Sequence, residues 1–515
     1  MRSVISRALA VLSAAVAVYL AFLLTQYFLP PHIPRFRIET FFMWFVAVGL
    51  LAVALRTPAA DATRAGETFL ARQYFALFGI LALIVVLQYG AAVGVGFLSD
   101  DFVIADWASR REWIHAAETG FVRPVVPMTW GLLSFLPFAW PETLHMFNLL
   151  LHALNAAMLA AIGLKLGLDR ASAVGAAFLF VTMSSLTEAI VWISGMQDVL
   201  MATLALGAVL AVLGLRALPQ ETPLRAGTAV VLTAIALGVK ETAVSIPVLA
   251  WLAAWATPYG IGRGTRRRTL YTMTTVAILY VAIRVAAGIA SDYSRGIGRY
   301  FFKQLTVEPF AGLGAPWSSA WSEAHPWAGL SRIVIVALIA ASIFVLRRRD
   351  GRLAVAVISA AWVFISVLPV FSLFHVSATL EGSRYLYLPA AGFALLLALL
   401  FGTLAQRVNA SIAPVVMSIG VVVLAIPSLA ATPAEIARWN EAAKTRDQIL
   451  GSYVKVVPPD FCSTFVTEGV VDNIDGAYVL RNGFSQALKE MGSPTDPAAG
   501  SPCRVSWTDH LVVRQ

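Results

Sequence analysis

Residues 142–164 read ETLHMFNLLLHALNAAMLAAIGL, an almost uncharged stretch of the length that decides this fold. As a helix it is about 35 Å long, enough to cross the hydrocarbon core of a bilayer. His145, Asn148, His152 and Asn155 recur at i, i+3 and i+7 and mark one polar face. Hydrogen bonds between neighbouring helices explain such a face, and no tight ligand motif turns it into a metal site. Working outward, about thirteen runs of this kind are expected, at 8–28, 39–55, 74–96, 142–164, 171–186, 197–215, 226–240, 242–257, 269–288, 330–346, 353–373, 386–404 and 412–430. Runs 171–186 and 242–257 are short, and 226–240 with 242–257 reads as a helical hairpin or a re-entrant pair.

Of the 515 residues, 59% are hydrophobic and only 13% charged. Soluble domains carry about 25% charged residues, so the fold class is an all-α polytopic membrane protein. Residues 1–430 form its transmembrane domain, and 431–515 a small extracytoplasmic α+β domain with a helix near 433–450 and strand-like residues over 464–481. The first run is too long for a signal peptide's apolar core and reads as a retained helix.

The net charge of +9 sits in loops. Arg263, Arg266, Arg267 and Arg268 form one cluster, Arg347, Arg348, Arg349 and Arg352 another; Arg56, Arg64 and Arg72 form a weaker one, and Arg407 stands alone. With the N-terminus inside, all of them fall in the cytoplasm, as the positive-inside bias requires. Nucleic acid is not needed to explain them. An odd helix count then places the C-terminal segment outside, giving an inner-membrane protein with a periplasmic tail. The only two cysteines, Cys462 and Cys503, lie in that tail. On the oxidising side a disulfide between them is expected; the alternative is two unpaired thiols.

Charged residues interrupt or edge the apolar runs at a few places, and the threading puts all of them on the outer side. Asp100 and Asp101 follow the third run. Adjacent side chains diverge, so one carboxylate can act as a base while the other orients; a solvated helix end is the plainer alternative. Arg123 precedes Pro124 and has the fork geometry to hold a phosphate, or snorkels to headgroups. Glu188 lies within SSLTEAIVW, where a charge costs roughly 2.5–3.5 kcal/mol on insertion scales. Asp198 is a second acid or a helix cap. Lys240 and Glu241 split one apolar run, with Lys240 a candidate phosphate clamp. Arg384 opens the run at 386, flanked by Tyr385 and Tyr387. Segments 97–141, 187–198, 289–328 and 374–385 are read as outside the membrane, the first with an interfacial amphipathic helix near 104–117. No P-loop or Rossmann-sized soluble domain is present, which disfavours an ATP-driven pump and a nucleotide-sugar transferase.

In order along the chain, Asp100-Asp101, Arg123-Pro124, the 142–164 run, SLTEAIVWISGMQDVL (185–200), KETAVSIP (240–247) and SRYLYLPAAGF (383–393) resemble the GT-C superfamily of polytopic glycosyltransferases. The likeness runs from about residue 97 to 400, and is nearest to bacterial relatives of the transmembrane-and-tetratricopeptide and protein O-mannosyltransferases. It implies a polyprenyl-phosphate monosaccharide donor used on the non-cytoplasmic face, with a periplasmic protein, polysaccharide or lipid as acceptor. It implies a catalytic base at Asp100 or Asp101, donor-phosphate binding at Arg123, Lys240 and Arg384, and a second acidic motif at Glu188 and Asp198, with Glu241 and Tyr385 alongside. No cofactor is expected; some members use a divalent metal, which this branch does not need. Met183 and Ser184 stand where the family has His-Pro, Met196 where it has Arg, and the tetratricopeptide array is absent. The competing readings are a lipid or glycan transporter without glycosyl transfer, and a non-enzymatic scaffold whose tail binds the cell wall. Transporters place ionisable residues near the midplane; here they lie at one rim.

Overall fold

The structure is a computed structural model. It describes residues 71–114, 121–214, 223–257, 264–288, 308–314, 319–325, 352–371, 374–408, 411–456, 462–467, 470–491, 501–507 and 511–514. The expected runs 8–28, 39–55 and 330–346, with Arg295, Arg299 and Lys303, lie outside them.

The chain builds α1 (Ala71–Tyr89), a short α2 (Asp100–Arg110) and α3 (Val125–Leu133), then α4 (Trp140–Lys165), α5 (Arg170–Thr182), α6 (Thr187–Val191) and α7 (Met196–Leu213). It continues with α8 (Pro223–Leu237), α9 (Ile246–Ala256), α10 (Thr265–Ala286), two short helices α11 (Glu308–Gly314) and α12 (Ser319–Ala324), then α13 (Arg352–Val367), α14 (Tyr387–Val408) and α15 (Ala413–Val456). Among the described residues seven helices are long and apolar enough to cross a membrane, or eight if the bent pair 170–182 and 184–191 is one span. Two shorter apolar helices, Leu224–Leu237 and Glu241–Ala256, complete the set.

Helix α4 lies inside the bundle. It packs on α1, α5 and α7, and its polar face is fully buried. Asn148 donates to the carbonyls of Ala189 and Ile190, both at 2.9 Å. Asn155 donates to Val199 O at 3.1 Å and to the Tyr387 hydroxyl at 3.0 Å, and His152 Nδ1 lies 2.7 Å from the same hydroxyl. In an apolar bundle these side chains fix the register that featureless Leu and Ala surfaces leave open.

Two spans are interrupted. Helix α5 stops at Met183 and the chain bends by 54° into 184–191. The segment 187–198, expected on the outer side, is buried against the rest of the protein, with Ala189, Ile190, Val191 and Ile193 fully covered. Its own sequence allows this, since its two charges, Glu188 and Asp198, are each neutralised by a cationic partner. The return depends on Gly195: a Cβ there would meet Ala189 Cα at 2.8 Å and Glu188 O at 2.9 Å. The second break lies between α8 and α9, where Lys240 is extended (φ −158°, ψ 144°). Gly238 O there accepts from Val125 N at 3.1 Å, joining the break to the Arg123-Pro124 motif.

Helix α15 is 44 residues long. At about 66 Å it is twice the thickness of a hydrocarbon core, so it runs on past the bundle. The domain boundary expected at 430–431 falls inside it. Beyond it lie β1 (Cys462–Thr467), a two-residue hairpin β2 (Asn473–Ile474) and β3 (Ala477–Tyr478), α16 (Phe484–Glu490), β4 (Ser501–Trp507) and β5 (Leu511–Arg514). Strand β4 pairs parallel with β1 and antiparallel with β5.

Candidate active site

The charges that edge the apolar runs meet at one place through side-chain contacts. Lys240 Nζ lies 2.6 Å from both oxygens of Asp198, which stands in the first turn of α7; both side chains are about 5% exposed. Arg123 reaches Glu241 through Nε at 3.0 Å and Nη2 at 2.7 Å, and its Nη1 meets Gln197 Oε1 at 2.7 Å. Arg284, near the end of α10, lies 3.5 Å from the other oxygen of Glu241. Arg384 Nη1 pairs with Glu188 Oε1, and the Arg384 backbone N–H donates to Glu188 Oε2 at 3.1 Å.

These pairs are contiguous. Gln197 and Asp198 are neighbours, as are Lys240 and Glu241. The Tyr385 ring joins the remaining two, since Lys240 Nζ and the Arg384 guanidinium each lie 4.8 Å from its centroid. Arg384 also lies 5.1 Å from the Trp192 ring. Four cations thus face three carboxylates in one network. Breaking such a buried pair leaves a stranded charge worth about 3–5 kcal/mol, so the members hold one another in place.

The adjacent aspartates have different surroundings. Asp101 is fully buried. Its Oδ2 accepts from Leu98 N at 2.8 Å; its Oδ1 accepts from Ser194 N at 2.7 Å and from the Ser194 hydroxyl. Burial pushes its carboxyl up to about 8, against these hydrogen bonds, which pull it down. It ties α2 to the turn after α6. Asp100 is half-exposed, and its Oδ1 accepts from Asn482 Nδ2 at 2.6 Å. Ser99, just before it, has φ 51°, a left-handed conformation that non-glycine residues seldom adopt and that recurs at functional sites.

The C-terminal segment belongs to this site. The Tyr478 hydroxyl lies 2.8 Å from Arg384 Nη1 and 3.2 Å from Glu188 Oε1. Ser99 N donates to Val479 O at 3.0 Å, and Asn482 N donates to Ser99 Oγ at 3.2 Å. A Cβ at Gly483 (φ 79°) would meet Ser99 O at 2.6 Å, so only glycine allows this approach. Beside Glu188 a narrow crevice, partly open to solvent, is lined by Thr187, Leu380, Arg438, Trp439 and Ala477.

The structure brings together Arg123, Glu188, Asp198, Lys240, Glu241, Arg384 and Tyr385, and places Asp100 and Asp101 beside them through Asn482 and Ser194. Sequence reasoning passed over Arg284, Gln197, Tyr478 and Asn482. Arg284 had a signal, a lone cation inside the apolar run 269–288. The other three look like ordinary polar residues until the chain is folded. No group of three or more His, Cys, Asp or Glu suited to a metal occurs among the described residues.

The opposite end of the bundle is basic. Arg267 and Arg268 begin α10, about 25 Å along the helix from Arg284. Arg352 begins α13 and contacts Thr403 and Gln406 near the end of α14, next to exposed Arg407.

No family model matches the sequence, and no curated protein matches it. Among solved structures, the chain is similar to the crystal structure of ArnT from Cupriavidus metallidurans bound to undecaprenyl phosphate, at 11% identity and a TM-score of 0.44, over 85% of this chain and 94% of that one.

Proposed function

We propose that the protein is an inverting glycosyltransferase of the GT-C type, moving a monosaccharide from a polyprenyl-phosphate donor to an acceptor hydroxyl at the non-cytoplasmic face of the inner membrane. The observation that carries this reading is the cation-rich network of Arg123, Lys240, Arg284 and Arg384 at the rim of the bundle, next to a half-exposed aspartate. A phosphodiester donor carries one negative charge, which suits a cluster of four cations. The sequence motifs that resemble the GT-C superfamily supply Arg123, Lys240 and Arg384.

In this mechanism the acceptor oxygen attacks the anomeric carbon as the bond from that carbon to the phosphate oxygen breaks, with inversion. The acceptor proton passes to Asp100. The polyprenyl phosphate leaves as an anion, so no proton donor is needed, and the cations stabilise the developing charge. The base is assigned to Asp100 because the Asp101 oxygens are occupied and sealed off. Arg123, Lys240 and Arg384 are the donor-phosphate ligands, with Arg284 added to them. Glu188, Asp198 and Glu241 hold these cations at the correct angle when no substrate is bound. No metal is assigned.

The orientation is supported by the separation of the network from Arg267, Arg268, Arg352 and Arg407, since the positive-inside bias favours the cytoplasm for a basic end. The C-terminal segment then lies outside. A Cys462–Cys503 disulfide fits that compartment: the two residues sit on the paired strands β1 and β4, and no described cysteine is free.

Interrupted helices at 183 and 238–240 are also a transporter's device. Here, however, the break at Lys240-Glu241 is level with the end of α10 through Arg284, at the rim rather than the midplane. The test is incubation of purified protein with a panel of polyprenyl-phosphate sugars and acceptors, following release of free polyprenyl phosphate. Release with one sugar supports the reading. Substrate counterflow without any release would replace it with transport.

A further inference from the structure

We propose that Tyr478, on the hairpin of the C-terminal segment, is a positioning residue that holds Arg384 in the geometry needed to bind the donor phosphate; this rests on Arg384 being a phosphate ligand. Tyr478 lies more than 90 residues from Arg384 and nearly 300 from Glu188 in sequence, yet its hydroxyl closes a triangle with them. It accepts from Arg384 Nη1 at 2.8 Å and donates to Glu188 Oε1 at 3.2 Å. A hydroxyl is suited to this place because it can accept from a guanidinium and donate to a carboxylate at once. A phenylalanine ring can do neither.

The triangle confines Glu188 and Tyr478 to one guanidinium nitrogen. Nη2 makes a long 3.4 Å contact with the Tyr385 hydroxyl. An Arg–Glu pair left to itself in an apolar setting prefers the two-pronged arrangement, which would turn both amino groups toward the carboxylate. Tyr478 opposes that arrangement by occupying one side of the pair, with the Arg384 backbone N–H holding Glu188 Oε2 on the other, and so keeps part of the fork for an incoming anion.

Tyr478 can impose this geometry because it is itself fixed. It is 3% exposed, its ring centroid lies 4.5 Å from that of Trp192 and 6.0 Å from that of Trp439. The Arg481 guanidinium covers its ring at 4.6 Å and is held by Glu381 at 2.8 Å and Asp472 at 2.7 Å. Burial raises the phenol above its ordinary range, so it stays protonated. The stretch from Tyr478 to Asn482 also fastens Ser99 and Asp100. One short piece of the tail therefore orders both the phosphate end and the base end of the site. Such preorganisation is what charge stabilisation in a transition state requires.

The test compares wild type and Tyr478→Phe as full-length protein in lipid nanodiscs, with undecaprenyl phosphate as probe, measuring its dissociation constant and the unfolding temperature. The expected result is binding weakened about tenfold or more, from hydrogen bonds to charged groups, at an unfolding temperature within two degrees or so of wild type, as for a change that removes no packing. In turnover, the donor KM should rise by a similar factor with a smaller change in kcat. Binding within twofold of wild type would overturn the proposal while leaving the phosphate site standing. A large loss of thermal stability would make Tyr478 a packing residue and overturn it too. Wild type failing to bind undecaprenyl phosphate would remove the phosphate reading itself, and this proposal with it.

Discussion

Replacing each of the two neighbouring aspartates by asparagine should give opposite phenotypes. The Asp101 carboxyl accepts from Leu98 N on one oxygen and from Ser194 N on the other, beside the Ser194 hydroxyl. An amide has a single acceptor oxygen. If that oxygen serves Ser194, the amide NH2 faces the Leu98 N–H, donor against donor, in a fully buried place. One buried donor left without a partner costs about 1–3 kcal/mol, so Asp101→Asn should be less stable by that amount and should lower turnover only as far as its folded fraction falls. Asp100 is half-exposed and accepts one hydrogen bond, from Asn482. An amide oxygen accepts it equally well, so Asp100→Asn should keep its stability to within about 0.5 kcal/mol. It loses the proton acceptor, and turnover should fall about 10²–10⁴-fold. Unfolding in detergent and donor turnover, measured on the same preparations, decide the matter. Full activity in Asp100→Asn, or a stable but inactive Asp101→Asn, would refute this division of roles.

Four further outcomes follow from the same contacts. Burial raises the Asp101 carboxyl to about 8 from 3.8, so the native state holds its proton where the unfolded chain has released it; stability should be greatest below about pH 4 and decline as pH rises to about 8, a slope that Asp101→Asn lacks in thermal unfolding across that range. Asp198→Asn strands a buried Lys240 and should cost about 3–5 kcal/mol, whereas the double change Asp198→Leu with Lys240→Met should recover stability but not donor binding. Gly195→Ala puts a methyl group into the backbone at 188–189 and should destabilise by about 1–3 kcal/mol, seen as a lower unfolding temperature. Reduction, or Cys503→Ser, should loosen the C-terminal domain by roughly 4 kcal/mol, read by proteolysis with and without reductant.

The reach of the sequence is set by the cost of burying charge. Glu188, Asp198, Lys240 and Arg384 stand out because each edges or splits an apolar run where an ion without a purpose is expensive. The same logic marks Arg284, although a single Arg near a helix end reads equally well as an anchor. Pairing could not be read, since Glu188 and Arg384 are almost 200 residues apart and nothing local says that Lys240 turns to Asp198 rather than to Glu241 beside it. The choice between Asp100 and Asp101 depends on which side of α2 is buried, and this is decided by Ser194 and Asn482, both far away in sequence. The stretch 187–198 reads as a segment on the outer side; that it is buried against the rest of the protein depends on Arg384 and Lys240, partners far away in sequence. The tail reads as separate because its polar residues have no periodic pattern; Tyr478 and Asn482 acquire meaning only when α15 carries them back over the first loop.

The account depends most on the network being a phosphate site on the side away from the basic loops. Sealed proteoliposomes with the C-terminal domain facing outward test this directly, using a polyprenyl-phosphate sugar in the membrane and a soluble acceptor added outside. The account predicts that glycosylated acceptor forms outside, and that Arg384→Ala abolishes it without unfolding the protein. Product formed only when acceptor is enclosed with the basic face, or turnover undiminished in Arg384→Ala, would contradict it.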